Sequence, residues 1–117
     1  MDKQLDDISF HAEQKGEIQI FYLQGELIYQ TVNQAKQILN SLLESTKGYI
    51  LNLEQVKKID STGFGFILNM IKKIPQDSKL VIVVSDPFIK DLFNITKIDK
   101  LVELVPSISE AMDKVKK

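Results

Sequence analysis

The sequence predicts an α/β fold, a single domain with a mixed, mostly parallel β-sheet and about four helices. Three observations predict it. Apolar runs of strand length alternate with segments of helical period from about residue 17 to the end. Two of those runs, at 49–53 and 79–86, are nearly continuous, as strands covered on both faces are. Capping residues stand at the heads of the helical segments. Such alternation implies crossover connections and a sheet covered by helices.

The elements follow in order. Residues 1–7 are polar and read as a loose N-terminus. The run "ISFHA" (8–12) reads as a strand that pairs, through a turn near Lys15-Gly16, with "EIQIFYLQGEL" (17–27). Gly25 breaks that second strand and opens a turn. Thr31 and Gln34 have the spacing of a capping box. Behind them Val32, Ala35, Leu39 and Leu42 share a helical face, with Ile38 and Leu43 beside it, and the helix ends before Gly48. "YILNL" (49–53) is a short buried strand, and the helix after residue 60 stops before Pro75.

"KLVIVVSD" (79–86) is the plainest buried strand. Asp86-Pro87 ends it and opens a helix, with the acid as cap and proline in the first turn. Phe88, Leu92 and Ile95 are expected to face inward there. "LVELV" (101–105) reads as a last short strand. Ser107 and Glu110 form a second capping box, and Ile108, Ala111, Met112 and Val115 give a clean stripe behind it.

Composition narrows the function classes. The chain has 117 residues, 26% of them charged, with a net charge of −1 and no basic stripe. A nucleic-acid partner is therefore not expected. Lys114, Lys116 and Lys117 sit where a C-terminal helix welcomes cations. There is no cysteine and only one histidine, His11. Thiolate metal sites, histidine-rich metal sites and a catalytic triad are not expected, nor is any cofactor or small-molecule substrate. No apolar stretch approaches the roughly 20 residues of a membrane span, and no signal-peptide segment is visible, so membrane insertion is not expected and a cytoplasmic protein is. Asp6 with Asp7, or Asp86 with Asp91, can be imagined as carboxylate pairs; a loose terminus accounts for the first, and a helix cap and a solvated helix face for the second.

The stretch "IDSTGFGFIL" (59–68) carries the chemistry. With Asp60 as N-cap, its carboxylate accepts from free N–H groups of the first turn. Ile59 and Phe64 then occupy the positions of a hydrophobic staple. Ser61 falls on the first helical residue, at the positive end of the dipole, where an anion is welcome. Gly63 and Gly65 leave the approach uncluttered, although each costs about 1 kcal/mol relative to alanine in a helix interior. Two readings stand: an ordinary cap, or a hydroxyl that another protein modifies. Phosphate on Ser61 would add about −1.5 to −2 charges beside Asp60, which a partner's surface would feel more than the fold. Further along, Phe64, Ile67, Leu68 and Ile71 form the inward stripe, with Gly65, Asn69, Lys72 and Lys73 opposite. Phe66 lies off the stripe, either to seat a partner or to pack under a neighbouring helix.

These residues bring a family into view. "LNLEQVKKIDSTGFGFIL" resembles the signature of the STAS domain, shared by sulphate transporters and bacterial anti-sigma factor antagonists: an apolar strand, a short polar link, then Asp-Ser-Ser/Thr-Gly opening a helix. "LQGELIYQT" and "SDPFIKDLFNITKIDKLVEL" resemble the family's Gly-Glu-Leu and closing segments. The resemblance implies one STAS-like domain over 1–117. It implies a non-enzymatic regulator whose Ser61 is phosphorylated by a partner that is both anti-sigma factor and serine kinase, with a serine phosphatase restoring it. Thr62 is the secondary candidate. The implied partner-binding surface holds Gly25, Glu26, Tyr29, Asp60, Ser61, Thr62, Gly63, Phe66 and Asn69, within the loop 25–30 and the head of the helix. The chain departs from many phosphorylated members at Ile28, where they carry an acid. The alternatives are a STAS-type cytosolic subunit of a lipid-transport ATP-binding-cassette complex, or an unphosphorylated scaffold. A small hydrolase is disfavoured, because no nucleophile has a base beside it.

Overall fold

A computed structural model describes residues 8–116; the expected loose N-terminus at 1–7 lies outside the described residues. Five strands form one sheet in sequential order: β1 (Ile8–Lys15), β2 (Ile18–Leu27), β3 (Gly48–Ile59), β4 (Lys79–Val83) and β5 (Glu103–Val105). β1 and β2 form an antiparallel hairpin, and all later pairings are parallel. The four helices are α1 (Val32–Leu42), α2 (Ser61–Lys73), α3 (Pro87–Thr96) and α4 (Ile108–Val115), with a 3-10 turn at Ile98–Lys100.

Strand alternation divides the core in two. Phe21, Leu23, Tyr49, Leu51, Leu53, Leu80 and Ile82 face α1, α2 and α3. Ile18, Ile20, Ile50, Val81, Val83 and Val105 face the other way and are covered by Ala111 and Val115 of α4. The expected stripe of α4 is thus in place, capped by the Ser107 hydroxyl, which accepts from the N–H of Glu110 at 3.2 Å. Asp86 caps α3 by accepting from the N–H of Phe88 at 2.8 Å.

The structure corrects the sequence reading in five places. β2 does not break at Gly25. It runs to Leu27 with a bulge, and Gly25 sits there at φ 114, a backbone region open to glycine and to few others. β3 is not a five-residue strand with a polar link behind it, because the ladder to β2 continues through Gln55, Val56, Lys58 and Ile59. Thr31 does not build a capping box. It is fully buried, and its hydroxyl donates to the Glu26 carbonyl at 2.7 Å and accepts from the N–H of Ile28 at 3.0 Å. On α3, Ile89 and Phe93 face the core, while Phe88 and Ile95 point outward. On α2, Phe66 and Met70 belong to the core beside Phe64 and Ile67, whereas Leu68 and Ile71 are only half-buried.

Candidate functional site

The site lies where β2 and β3 end and α1 and α2 begin. This is the C-terminal edge of the parallel strands, the usual place for sites in sheets of this kind. The β2–α1 loop is held by the buried Thr31 hydroxyl, and the N–H groups of Thr31 and Val32 both return to the Ile28 carbonyl at 2.9 Å. That arrangement leaves the Tyr29 N–H pointing across to the next crossover. It donates to Oδ2 of Asp60 at 2.9 Å.

Asp60 is the N-cap of α2, as its sequence position predicts. Its Oδ1 accepts from the N–H of Gly63 at 3.0 Å and from the Thr62 hydroxyl at 2.6 Å. Desolvation pushes its carboxyl up. The hydrogen bonds from the Thr62 hydroxyl and from the N–H groups of Gly63, Tyr29 and Thr62 outweigh that and hold it below its ordinary value. Asp60 is therefore an anion that ties two crossovers together. Its own N–H donates to the Leu27 carbonyl at 3.3 Å.

The hydroxyls of the motif are not equivalent. Thr62 is half-buried and committed to Asp60. Ser61 is exposed at the first residue of α2, and among the described residues the cap network runs past its side chain. Beside it opens a shallow apolar groove of about 390 Å³, lined by Ile59, Phe64, Gly65, Leu68, Leu92 and Thr96 together with Asp60 and Ser61.

Of the residues expected at a binding surface, Tyr29, Asp60, Ser61 and Thr62 come together. Tyr29 is 72% exposed. Gly25 and Glu26 are half-buried in the end of β2, and Asn69 is exposed about two turns along α2. Gly63 is buried. It lets the first turn of α2 approach β2, since a Cβ there would meet the Leu27 carbonyl oxygen at 2.2 Å. Phe66, expected either to seat a partner or to pack under a neighbouring element, is 2% exposed and stands edge-on to Phe10 of β1, so it belongs to the core. Ile28, the position at which the sequence departs from the family resemblance, is buried. Thr31, Leu92 and Thr96 are near the site without having been anticipated. Thr31 looked like a helix cap in sequence, and the other two depend on how α3 packs beside α2.

Comparison with known proteins bears on this geometry. An anti-sigma-B factor antagonist of Staphylococcus aureus is 34% identical over 83 residues, 68% of this chain and 76% of that protein. A candidate anti-sigma factor antagonist of Thermotoga maritima is 33% identical over 75 residues, 61% of this chain; the match spans 66% of that relative's own length. Among solved structures, an anti-sigma factor antagonist from Mycobacterium paratuberculosis superposes with a TM-score of 0.90 at 19% identity, covering 96% of this chain and 97% of that one. A further antagonist, solved in unphosphorylated and phosphorylated forms, shares the fold at TM-scores of 0.64 and 0.61, with 21% identity and 92% of this chain covered in each; the match covers 98% and 99% of those chains. The STAS domain itself matches residues 9–111, nearly the whole chain, with the cap, the exposed serine and the crossovers that hold them all inside it. The chain belongs to the STAS domain family.

Proposed function

We propose that this chain is an anti-sigma factor antagonist, a binding protein rather than an enzyme, that docks an anti-sigma factor through the β2–α1 loop and the head of α2. Phosphorylation of Ser61 by that partner's serine kinase activity switches it off, and a phosphatase switches it back. The observation that carries this reading is the contrast at the motif: Thr62 is spent on the cap, while Ser61 lies exposed at a helix N-terminus with no structural duty in that cap. The antagonists named above support the role, and the neighbour solved in both phosphorylation states supports the tolerance of this fold for the modification. Electrostatics supports it as well. The helix dipole favours the phosphate, Asp60 opposes it, and the residual effect falls on whatever surface is docked there.

The test is intact-mass measurement of the protein from its native cells, with Ser61→Ala as control. One phosphate that disappears in Ser61→Ala and persists in Thr62→Ser is expected. A protein that carries no phosphate under any growth or stress condition would return the site to a static docking role, as in the transport-subunit alternative.

A further inference from the structure

Between α1 and α2 a second cleft, of about 380 Å³, opens to solvent. It shares no residue with the groove beside Ser61. Its floor is apolar and recessed: Leu39, Phe66 and Met70 are all buried. Its rim is cationic. Lys36, Lys72 and Lys73 are exposed along it, and their methylene stems extend the apolar wall. Lys73 Nζ donates to Asn40 Oδ1, which ties the two helices together and leaves the Asn40 amide N–H groups to face an acceptor. Lys36 stands one turn before Asn40, and Asn69 one turn before Lys73, so the next rung of the cleft presents donors as well. Along their whole lengths α1 and α2 carry no acid: Lys36 is the one charged residue of α1, and Lys72 and Lys73 are those of α2. The acids that flank these helices in sequence, Glu26 and Glu44 around α1 and Asp60 and Asp77 around α2, do not line the cleft. Among the described residues no acid pairs with any of the three lysines.

We propose that this cleft binds a small amphiphilic anion, a single aliphatic chain that ends in a carboxylate. The chain lies over Leu39, Phe66 and Met70, and the head sits among the lysines and the asparagine amides. Charge and shape together select this class. An inorganic anion would leave the apolar floor unused, and a neutral apolar ligand would leave the lysines unused. The volume falls at the lower end of the roughly 300–1,000 Å³ of small-molecule sites. A protein partner suits the cleft less well, because lysine is depleted at the cores of protein interfaces. A recessed floor also gives a partner or a bilayer little to bury; the exposed large hydrophobic residues Tyr29, Phe88, Ile95 and Leu101 all lie outside the cleft. A nucleic-acid strand needs exposed aromatic rings to stack on, and none lines the rim. A small cleft that is open to solvent holds such a ligand weakly, with a Kd on the order of 1 mM. The inference goes beyond the regulatory reading above and does not rest on it.

Octanoate is the probe, titrated into the full chain and followed by the amide shifts in NMR spectra. Saturating shifts are expected at Leu39, Asn40, Phe66, Asn69 and Met70, and none at Leu92 or Thr96 in the groove beside Ser61. Two ligands separate head from chain. 1-Octanol keeps the chain without the charge, acetate keeps the charge without the chain, and each is expected to bind at least about tenfold more weakly. Lys36→Glu with Lys72→Glu leaves the Lys73–Asn40 bond in place and should weaken octanoate by about tenfold or more. Lys57→Glu with Lys58→Glu makes the same change of net charge at exposed residues outside the cleft and should leave the affinity within about twofold. An unchanged thermal melt will show that both variants are folded. No saturable shift up to about 10 mM octanoate overturns the proposal and leaves the cleft to an acidic protein segment. Equal binding of 1-octanol or of acetate overturns it too, because charge or floor then plays no part. So does an affinity that the Lys36 and Lys72 substitutions leave intact. None of these outcomes depends on whether Ser61 is phosphorylated.

Discussion

Gly63 and Gly65 stand two residues apart on α2, and their surroundings ask opposite things of them. A Cβ at position 63 would lie 2.2 Å from the Leu27 carbonyl oxygen and 2.8 Å from Cγ2 of Ile59. The first of these is backbone, which cannot swing aside. Gly63→Ala must therefore lift α2 off β2, and we expect a loss of about 3 kcal/mol, as for severe overpacking. Gly65→Ala meets open space and removes the helix penalty of glycine. It should gain about 0.5–1 kcal/mol. Urea denaturation of the two variants checks both signs. Two losses of equal size would mean that the glycines serve helix geometry in common, not a close approach at one of them. In sequence the pair looks uniform, because a one-dimensional pattern does not record which side of a helix another backbone passes.

At the scale of elements, Asp60 joins two crossovers, the β2–α1 loop through Tyr29 and the first turn of α2 through Thr62 and Gly63. All these bonds favour the carboxylate, and the folded state holds its pKa below the ordinary 3.8. The sign follows. The stabilisation is full above the unfolded value and is lost as pH falls through the lower folded one. Asp60→Asn keeps an acceptor and loses the charge. We expect the stability difference between wild type and Asp60→Asn to be largest near neutral pH and to shrink as pH drops below about 4, measured as urea midpoints at each pH. A gap that is constant down to pH 2 would contradict the charged-cap account. The cap was legible because a helix start leaves a local signature. Other features of the joint were not. Residues 54–58 lack period-2 alternation because bulges shift the β2–β3 register at Tyr22/Gln24 and again at Gly25/Glu26, so a ladder reads as a polar link. α3 carries apolar residues at both 88/92/95 and 89/93, and periodicity alone does not tell which set meets the sheet.

Over the whole molecule, the alternation of strands and helices made a mostly parallel sheet readable, because alternating elements imply crossover connections, whereas the order of the strands, β1 to β5 in sequence, is seen only in the structure. It also bears on what a charge added at Ser61 is expected to cost. The site sits on one edge of the sheet, at the head of α2. The core under α4 is on the other face, and Phe64 beside the site is already buried against Phe93. A phosphate would carry the net charge from −1 to roughly −3 without entering either core. Ser61→Glu is the simplest imitation. Its carboxylate gains from the α2 dipole and loses from the neighbouring Asp60 anion, two exposed effects of a few tenths of a kcal/mol each and of opposite sign. We expect its unfolding free energy to stay within about 0.5 kcal/mol of wild type, as for ordinary surface changes. Ala111→Asp, which places a charge in the fully buried core under α4, should instead lose several kcal/mol and unfold much of the chain. Urea titrations of both variants decide the matter. If Ser61→Glu destabilised the domain on the scale of Ala111→Asp, the charge would be acting on the fold itself, and a switch felt only by docked partners would be ruled out.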